Sequence, residues 1–394
     1  MKSVGLNVFA QLIKLLPMND FAEISAKYAP PSCNSRKFTA RDYFTAMLFG
    51  QLSGAMSLRE LEIGLATAGG KIIHTGGKPM KRTTLAYNNN QAQPEFYKQF
   101  YFRFLSKVRH DLIPSSSRRH GKSLFSLDST TITLGCKLFS WANFKHNKKG
   151  IKLHTALSNE TIMPEVIVTT VAKRADVKCA KAAIEQLPAD SIVVMDRGYN
   201  DYKLFAWLDQ RGTTFVTRLK KNALHTSLRE GAMGHSETWG DYITTFTSAA
   251  AKKACGDKVW RVIQWYDEIE NRWFEFITND YEAHPTVIAE LYRERWKVEL
   301  FFKKIKQNLI VKTFYGTTEN AVLSQVWIAM TAALLLEVLR QRSKRRWHFS
   351  TLAWVIRQSL WGYDRLDDII NQNLRFPCGT SSEPALPLQL EIAF

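Results

Sequence analysis

The chain has 394 residues, 45% of them hydrophobic and 23% charged. That balance excludes disorder for the bulk of the chain, and the length predicts two or more domains. Lys and Arg number 54 against 36 Asp and Glu, a net charge of +18, which favours a polyanionic partner, nucleic acid before a membrane surface.

Five cysteines without metal or redox spacing argue against a disulfide framework, and nine dispersed histidines with no H-E-x-x-H give no sign of zinc. Reduced cytosol is the natural compartment. At the N-terminus, Gln11 and Lys14 interrupt the apolar run that a signal peptide needs. Phe9, Leu12, Ile13 and Leu16 predict one face of a helix instead.

Residues 1–110 read as short helices. Ser57 and Glu60 form a capping box, and 78–91 reads as a basic turn leading into a Thr-capped helix. Two short helices joined by a Gly-rich turn, the second led by Lys81 and Arg82, suit a DNA-reading unit. The polar, basic stretch 113–123 predicts a linker.

From residue 124 the pattern changes. LFSLDSTTITL, GIKLHTALS and MPEVIVTTVA predict three successive strands. DVKCAKAAIEQL predicts a helix, SIVVMD a buried central strand, YKLFAWLDQRG a second helix and TFVTRL another strand. This is the order of an α/β, ribonuclease H-like sheet of mixed strand direction. Alternating runs between 220 and 280 predict an inserted β-rich subdomain. The expected domains are a helical, DNA-end-binding 1–112; a catalytic core of 121–219 and 281–345; the insertion 220–280; and a C-terminal helical segment and tail, 346–394. The apolar run 321–339 is long enough to span a bilayer, but Ser324, Gln325 and Glu337 within it favour a buried helix, so no membrane is expected.

The stretch LYRERWKVELFFKKIKQNL, 291–309, concentrates the chemistry. On one helix, Tyr292, Arg295, Glu299 and Lys306 fall within an arc of roughly 60°, with Val298, Phe301, Phe302 and Ile305 on the other side. Such a stripe suits a solvated face with a Glu299–Lys303 ion pair. It also suits a carboxylate that holds a metal while its cationic neighbours hold phosphates. More carboxylates would have to come from elsewhere. Asp128 interrupts an apolar strand where Asp is disfavoured. Asp196 ends a strand, at the sheet edge where α/β folds bind ligands. Lys145, Lys148, Lys149 and Lys152 surround a turn and suit a DNA-backbone patch. His154, alternating with Lys152, reads as a satisfied histidine.

Asp128 in a first strand, Asp196 within D-R-G-Y and the complete Y-x2-R-x3-E-x6-K spacing from Tyr292 to Lys306 resemble the bacterial insertion-sequence transposases with an Asp-Asp-Glu triad, and more narrowly insertion-sequence family four. The resemblance covers most of the chain, including the insertion before Glu299 and the helical FTARDYFTAMLFGQLSGAMSLREL segment. It implies that Asp128, Asp196 and Glu299 bind two Mg²⁺ ions, for which Mn²⁺ can substitute. It implies that Tyr292, Arg295 and Lys306 hold phosphates near a cleaved DNA end. The implied partners are double-stranded DNA, as terminal inverted repeats and target, and a second copy in a synaptic homodimer. The implied setting is the bacterial cytoplasm, at the nucleoid. A hairpin at the element end would need an aromatic platform for an unstacked base. Trp239, Trp260, Trp265 and Trp273 are candidates, Trp273 being nearest in sequence to the Glu299 helix. A nuclease of the same fold and an inactive DNA-binding derivative are the rival expectations.

Overall fold

The computed structural model describes residues 5–28, 38–113, 121–134, 139, 141–145, 148–171, 176–220 and 223–371, without the side chains of 143–145, 148–149 and 227–235. Most of the stretch expected as a linker, and the Pro-rich tail beyond 371, lie outside the described residues.

The N-terminal helices are α1 (Val8–Lys14), α2 (Met18–Tyr28), α3 (Ala40–Ser53), α4 (Leu58–Ala66), α5 (Arg82–Gln91) and α6 (Pro94–Leu112). Their starts follow from capping chemistry: Asn7 caps α1, a Thr39–Asp42 capping box opens α3, and Ser57 accepts from the Glu60 amide at α4. Glu60 reaches back to the Met56 amide rather than to that of Ser57. The helix expected to be Thr-capped begins earlier, with Lys81 at its N-cap making no side-chain cap. Wholly buried Leu85, whose amide donates to the Lys81 carbonyl at 3.0 Å, anchors that first turn.

The sheet begins with β1 (Ser123–Leu134), a short β2 (Asn143–Lys145) absent from the sequence expectation, β3 (Lys148–Ser158) and β4 (Pro164–Val171). After α7 (Val177–Ile184) come β5 (Ser191–Met195), α8 (Tyr202–Gln210) and β6 (Thr214–Arg218). Strands β1 and β3, and β3 and β4, are antiparallel, whereas β5 runs parallel to both β1 and β6. This is the expected mixed order. All five residues of β5 are buried, as a central strand with helices on both faces requires.

The insertion comprises β7 (His225–His235), β8 (Trp239–Phe246), α9 (Ala249–Cys255), β9 (Val259–Asp267) and β10 (Arg272–Thr278). It extends the main sheet rather than forming a separate one: β10 pairs antiparallel with β6, and the order continues β10-β9-β8-β7. Arg261 and Asp241, each about 2% exposed or less, lock β9 to β8 through two guanidinium–carboxylate contacts of 2.6 and 2.9 Å.

Then follow α10 (Pro285–Glu294), α11 (Trp296–Asn308), α12 (Glu319–Arg342), α13 (Phe349–Ser359) and α14 (Leu366–Asn371). By length and composition α12 could cross a membrane, but 94% of its apolar window is buried, against α3, α5, α6 and α13 among others. It is a core helix, as expected. One apolar cluster joins the N-terminal helices, α11, α12, α13 and residues of β1, β3 and β4. Residues 1–112 therefore share their interior with the C-terminal helices and with the sheet.

Candidate active site

The register of two strands creates the site. Leu127 of β1 pairs with Met195 of β5, in parallel. The residues that follow, Asp128 and Asp196, are thus neighbours about 5 Å apart across the ladder. Asp196 caps a 3-10 turn, Arg197–Tyr199, accepting from the Gly198 amide at 3.2 Å. Asp128 accepts from the Ser129 amide at 2.7 Å.

The third carboxylate comes from above. The stretch expected as one helix is two, α10 and α11, meeting at Arg295. There the Val298 amide donates to the Arg295 carbonyl (3.2 Å), a tightened turn. The Glu294 carbonyl instead accepts from Ser126 Oγ (3.3 Å) and Asn159 Nδ2 (3.1 Å). Polar groups on the sheet have drawn that carbonyl out of the helix ladder, and the joint is pinned to β1 and to the loop after β3. From this joint Arg295 and Glu299 project over Asp128. One guanidinium nitrogen, Nη1, lies 2.5 Å from Glu299 Oε1 and 3.9 Å from Asp128 Oδ2.

The electrostatics follow from crowding. Burial pushes the Asp128 carboxyl up to about 7; the Ser129 amide and Arg295 oppose the rise, and Glu299 and Asp196 add to it. Burial also raises Glu299, against the pull of Arg295. Burial disfavours the Arg295 cation, but Tyr292 and Glu299 more than compensate and hold it above its ordinary value. The Tyr292 ring lies under that guanidinium, 5.6 Å away, and packs 4.8 Å from Phe276 of β10.

Among the described residues no three acidic, His or Cys groups close on one point as they stand. Arg295 fills the space between Glu299 and Asp128, and its Nε is buried without a hydrogen-bond partner. Three crowded carboxylates around an internal cation, with hard oxygen donors throughout, fit a divalent ion of the magnesium type. The unsatisfied Nε fits a guanidinium with an anion still to meet.

The remaining candidates are spread out. Lys306 lies further along α11, where its ammonium donates to the Thr131 carbonyl at 3.1 Å and burial lowers its pKa. Lys152 forms a 3.1 Å ion pair with Asp176. The side chains of Lys148 and Lys149 lie outside the described residues. Lys81 and Arg82 are exposed at the start of α5, which packs on α4 and α12. Trp273 is 51% exposed beside Tyr266, but alternation puts it on the face of β10 opposite Phe274 and Phe276, which pack towards α10. The structure thus gathers Asp128, Asp196, Tyr292, Arg295 and Glu299, and leaves Trp273, Lys81 and Arg82 apart.

Sequence reasoning missed Ser126, Asn159 and Asp176; it offered the Ser129 amide as a partner of Asp128, and that bond is present, but not the role of the Ser129 hydroxyl. Ser126 and Ser129 straddle Asp128 on opposite faces of β1. Polar residues on both faces of a buried strand were the available signal.

Residues 119–335 match the family model described as transposase DDE domain. The chain belongs to that family. All three carboxylates, Tyr292, Arg295 and Lys306 fall inside the match. Residues 4–78 match a second model, a domain of unknown function, DUF4372. The chain is 33% identical over 235 residues to a Geobacillus stearothermophilus protein named "Probable transposase for insertion sequence element IS5377", covering 59% of this chain and 61% of that one. A Sinorhizobium fredii protein named for a transposase, y4zB, is 31% identical, over 56% of this chain and 62% of its own. A Synechocystis protein named for the transposase of element IS4SA is 27% identical, over 55% and 60%. The chain thus spans about three fifths of the length of these curated relatives. The DDE family resemblance read from the sequence is borne out, and with it the ribonuclease H-like fold class. Transposase DDE domains generally use divalent metal ions.

Proposed function

We propose that this protein is a DNA transposase that cleaves and joins the ends of an insertion sequence by metal-dependent phosphoryl transfer, in cut-and-paste transposition. One observation carries the reading: within a transposase DDE domain match, Arg295 lies between Glu299 and Asp128, and the charge of Asp196 acts on the same group. The charge of +18 supports double-stranded DNA as substrate, first as terminal inverted repeats and then as target.

Asp128, Asp196 and Glu299 would hold two Mg²⁺ ions, with Mn²⁺ able to substitute. Such ions supply Lewis-acid polarisation of phosphate oxygens and a more acidic attacking oxygen. In the first step a water oxygen forms a bond to phosphorus at the element boundary, and the 3′-oxygen leaves with the electron pair and takes up the proton that the water gives up, becoming a 3′-hydroxyl. In the second step the freed 3′-hydroxyl attacks a target phosphodiester, exchanging one P–O bond for another. Arg295 moves from Glu299 to the two non-bridging oxygens of a phosphate, which its planar fork binds together. Tyr292 donates its hydroxyl to the same strand. Lys306, Lys148, Lys149 and Lys152 neutralise backbone phosphates, and Trp273 offers a stacking surface to an unstacked base.

Residues 1–112, with Lys81 and Arg82 on α5, serve end binding. Residues 121–219 and 281–345 serve catalysis, 220–280 are the insertion, and 346–394 are the C-terminal segment. Two copies pair the two ends, in the bacterial cytoplasm at the nucleoid.

The test is linear DNA carrying the element's own end, incubated with Mg²⁺ and protein and resolved on a denaturing gel beside Glu299→Ala. Boundary nicks and joined products that the variant loses while still binding DNA are expected. Hydrolysis without joined products points to a nuclease. Binding with no cleavage by either protein overturns the enzymatic reading.

A further inference from the structure

On the face of β1 away from α11 lies a polar cluster around Asp176, a carboxylate that the reaction above does not use. Asp176 stands at the N-cap position of α7, yet its side chain makes no cap there. Its Oδ1 accepts from Ser129 Oγ at 2.6 Å, and Lys152 Nζ lies 3.1 Å from the same oxygen. His154, wholly buried and paired across the ladder with Ser129, has its Nδ1 3.4 Å from Asp176 Oδ1 and its Nε2 2.9 Å from Thr170 Oγ1. Tyr199, from the turn that carries Asp196, is buried against the same group.

We infer that Asp176 is a positioning residue for Asp128, acting through Ser129. Ser129 is the link because it bonds in both directions. Its hydroxyl donates to Asp176 on one face, and its amide donates to Asp128 Oδ1 on the other. Anchoring the hydroxyl fixes the Ser129 peptide and so the direction of the amide. That holds one Asp128 oxygen and leaves Oδ2 turned to the Arg295 side. Asp176 is itself charge-balanced by Lys152, so a cation arriving there would meet an ammonium; the cluster suits an anchor better than a second metal site. A half-buried carboxylate held by hydroxyl, ammonium and imidazole is a rigid anchor.

The inference rests on the proposed metal role of Asp128, so the test separates the two. Mn²⁺ binding to the DNA-free protein is titrated by electron paramagnetic resonance, beside cleavage of an end-bearing DNA. Asp176→Asn and Ser129→Ala are each expected to weaken Mn²⁺ binding about tenfold, the scale on which partners of metal ligands act. The double variant is expected to be no weaker than either single one, and Ser129→Thr to restore binding. A purely structural role would lower the melting temperature additively and give no rescue by threonine. Unchanged affinity in Asp176→Asn, while Asp128→Ala abolishes binding, overturns the positioning role and leaves the proposed function standing. Wild-type protein that binds no Mn²⁺ and cleaves nothing overturns both.

Discussion

Arg295 and Glu299 form an ion pair one helical turn apart, at 2.5 Å, and the same guanidinium nitrogen approaches Asp128 to 3.9 Å. An internal cation thus neutralises the carboxylates that would receive a metal. Arg295→Gln would remove it from a pair that is mostly buried. The metal-free protein should lose on the order of 2 kcal/mol, less than the 3–5 kcal/mol of a fully buried pair. Added Mg²⁺ should then raise the melting temperature more in the variant than in wild type. Equal shifts on Mg²⁺ addition would show that the guanidinium and the metal do not share this space.

Asp128 sets a pH dependence. With its carboxyl at about 7 in the folded chain against 3.8 when exposed, the folded state binds more protons between those values. Stability from this group is therefore full below about pH 4 and falls as pH rises to about 7. The loss above that is on the order of 4 kcal/mol. Asp128→Asn should melt higher than wild type at pH 8 without metal, and no higher at pH 4. Metal binding, which needs the ionised carboxylate, should weaken as pH drops below about 7. A pH-independent difference between the two proteins would remove Asp128 as the cause.

Asn159 fixes the joint from which Arg295 and Glu299 project, donating to the Glu294 carbonyl and to the Glu294 carboxylate. Asn159→Ala should cost about 1 kcal/mol of stability. Its effect on nicking rate should be far larger, tenfold or more, because a small displacement of reacting groups is costly. Urea denaturation alongside nicking kinetics would check the contrast; proportionate losses would make Asn159 an ordinary structural contact.

Deleting residues 1–112 is a poor test of end recognition, because those helices share an apolar interior with α12 and α13. Point changes avoid the problem. Lys81→Ala with Arg82→Ala should weaken DNA binding and lower the salt slope by about two, with little effect on melting. Equal weakening on random and element-end DNA would assign both residues to backbone contacts and not to sequence reading.

The Arg261–Asp241 pair supports the site from a distance, since β9 holds β10, whose Phe276 packs on Tyr292. Asp241→Ala should destabilise by about 3–5 kcal/mol by leaving a buried guanidinium uncompensated. Replacing both residues by apolar ones of similar volume should cost much less. Chemical denaturation of both variants beside the wild type decides it.

Much of this was legible in the sequence. Asp128 stood out because a carboxylate inside an apolar strand needs a reason, and Asp196 because it ends one. Helical periodicity put Tyr292, Arg295 and Glu299 on one side. Periodicity alone could not foresee the break at Arg295, which depends on Ser126 and Asn159, residues more than 130 positions away. The partner of Lys152 was equally hidden, since β3 and Asp176 meet only once the sheet forms. Whether an insertion makes its own sheet or joins another depends on strand pairing, which alternation does not encode.

That pairing has a consequence for tolerance to change. Without β10, β6 would be an unpaired edge one strand from Asp196. With the insertion in place, the sheet on that side ends at β7, five ladder spacings from β5, or about 24 Å. Drift in the length or chemistry of the outermost strand can therefore accumulate far from the carboxylates. The insertion works as a buffer zone in which the chain can vary while the geometry around Asp128, Asp196 and Glu299 stays still.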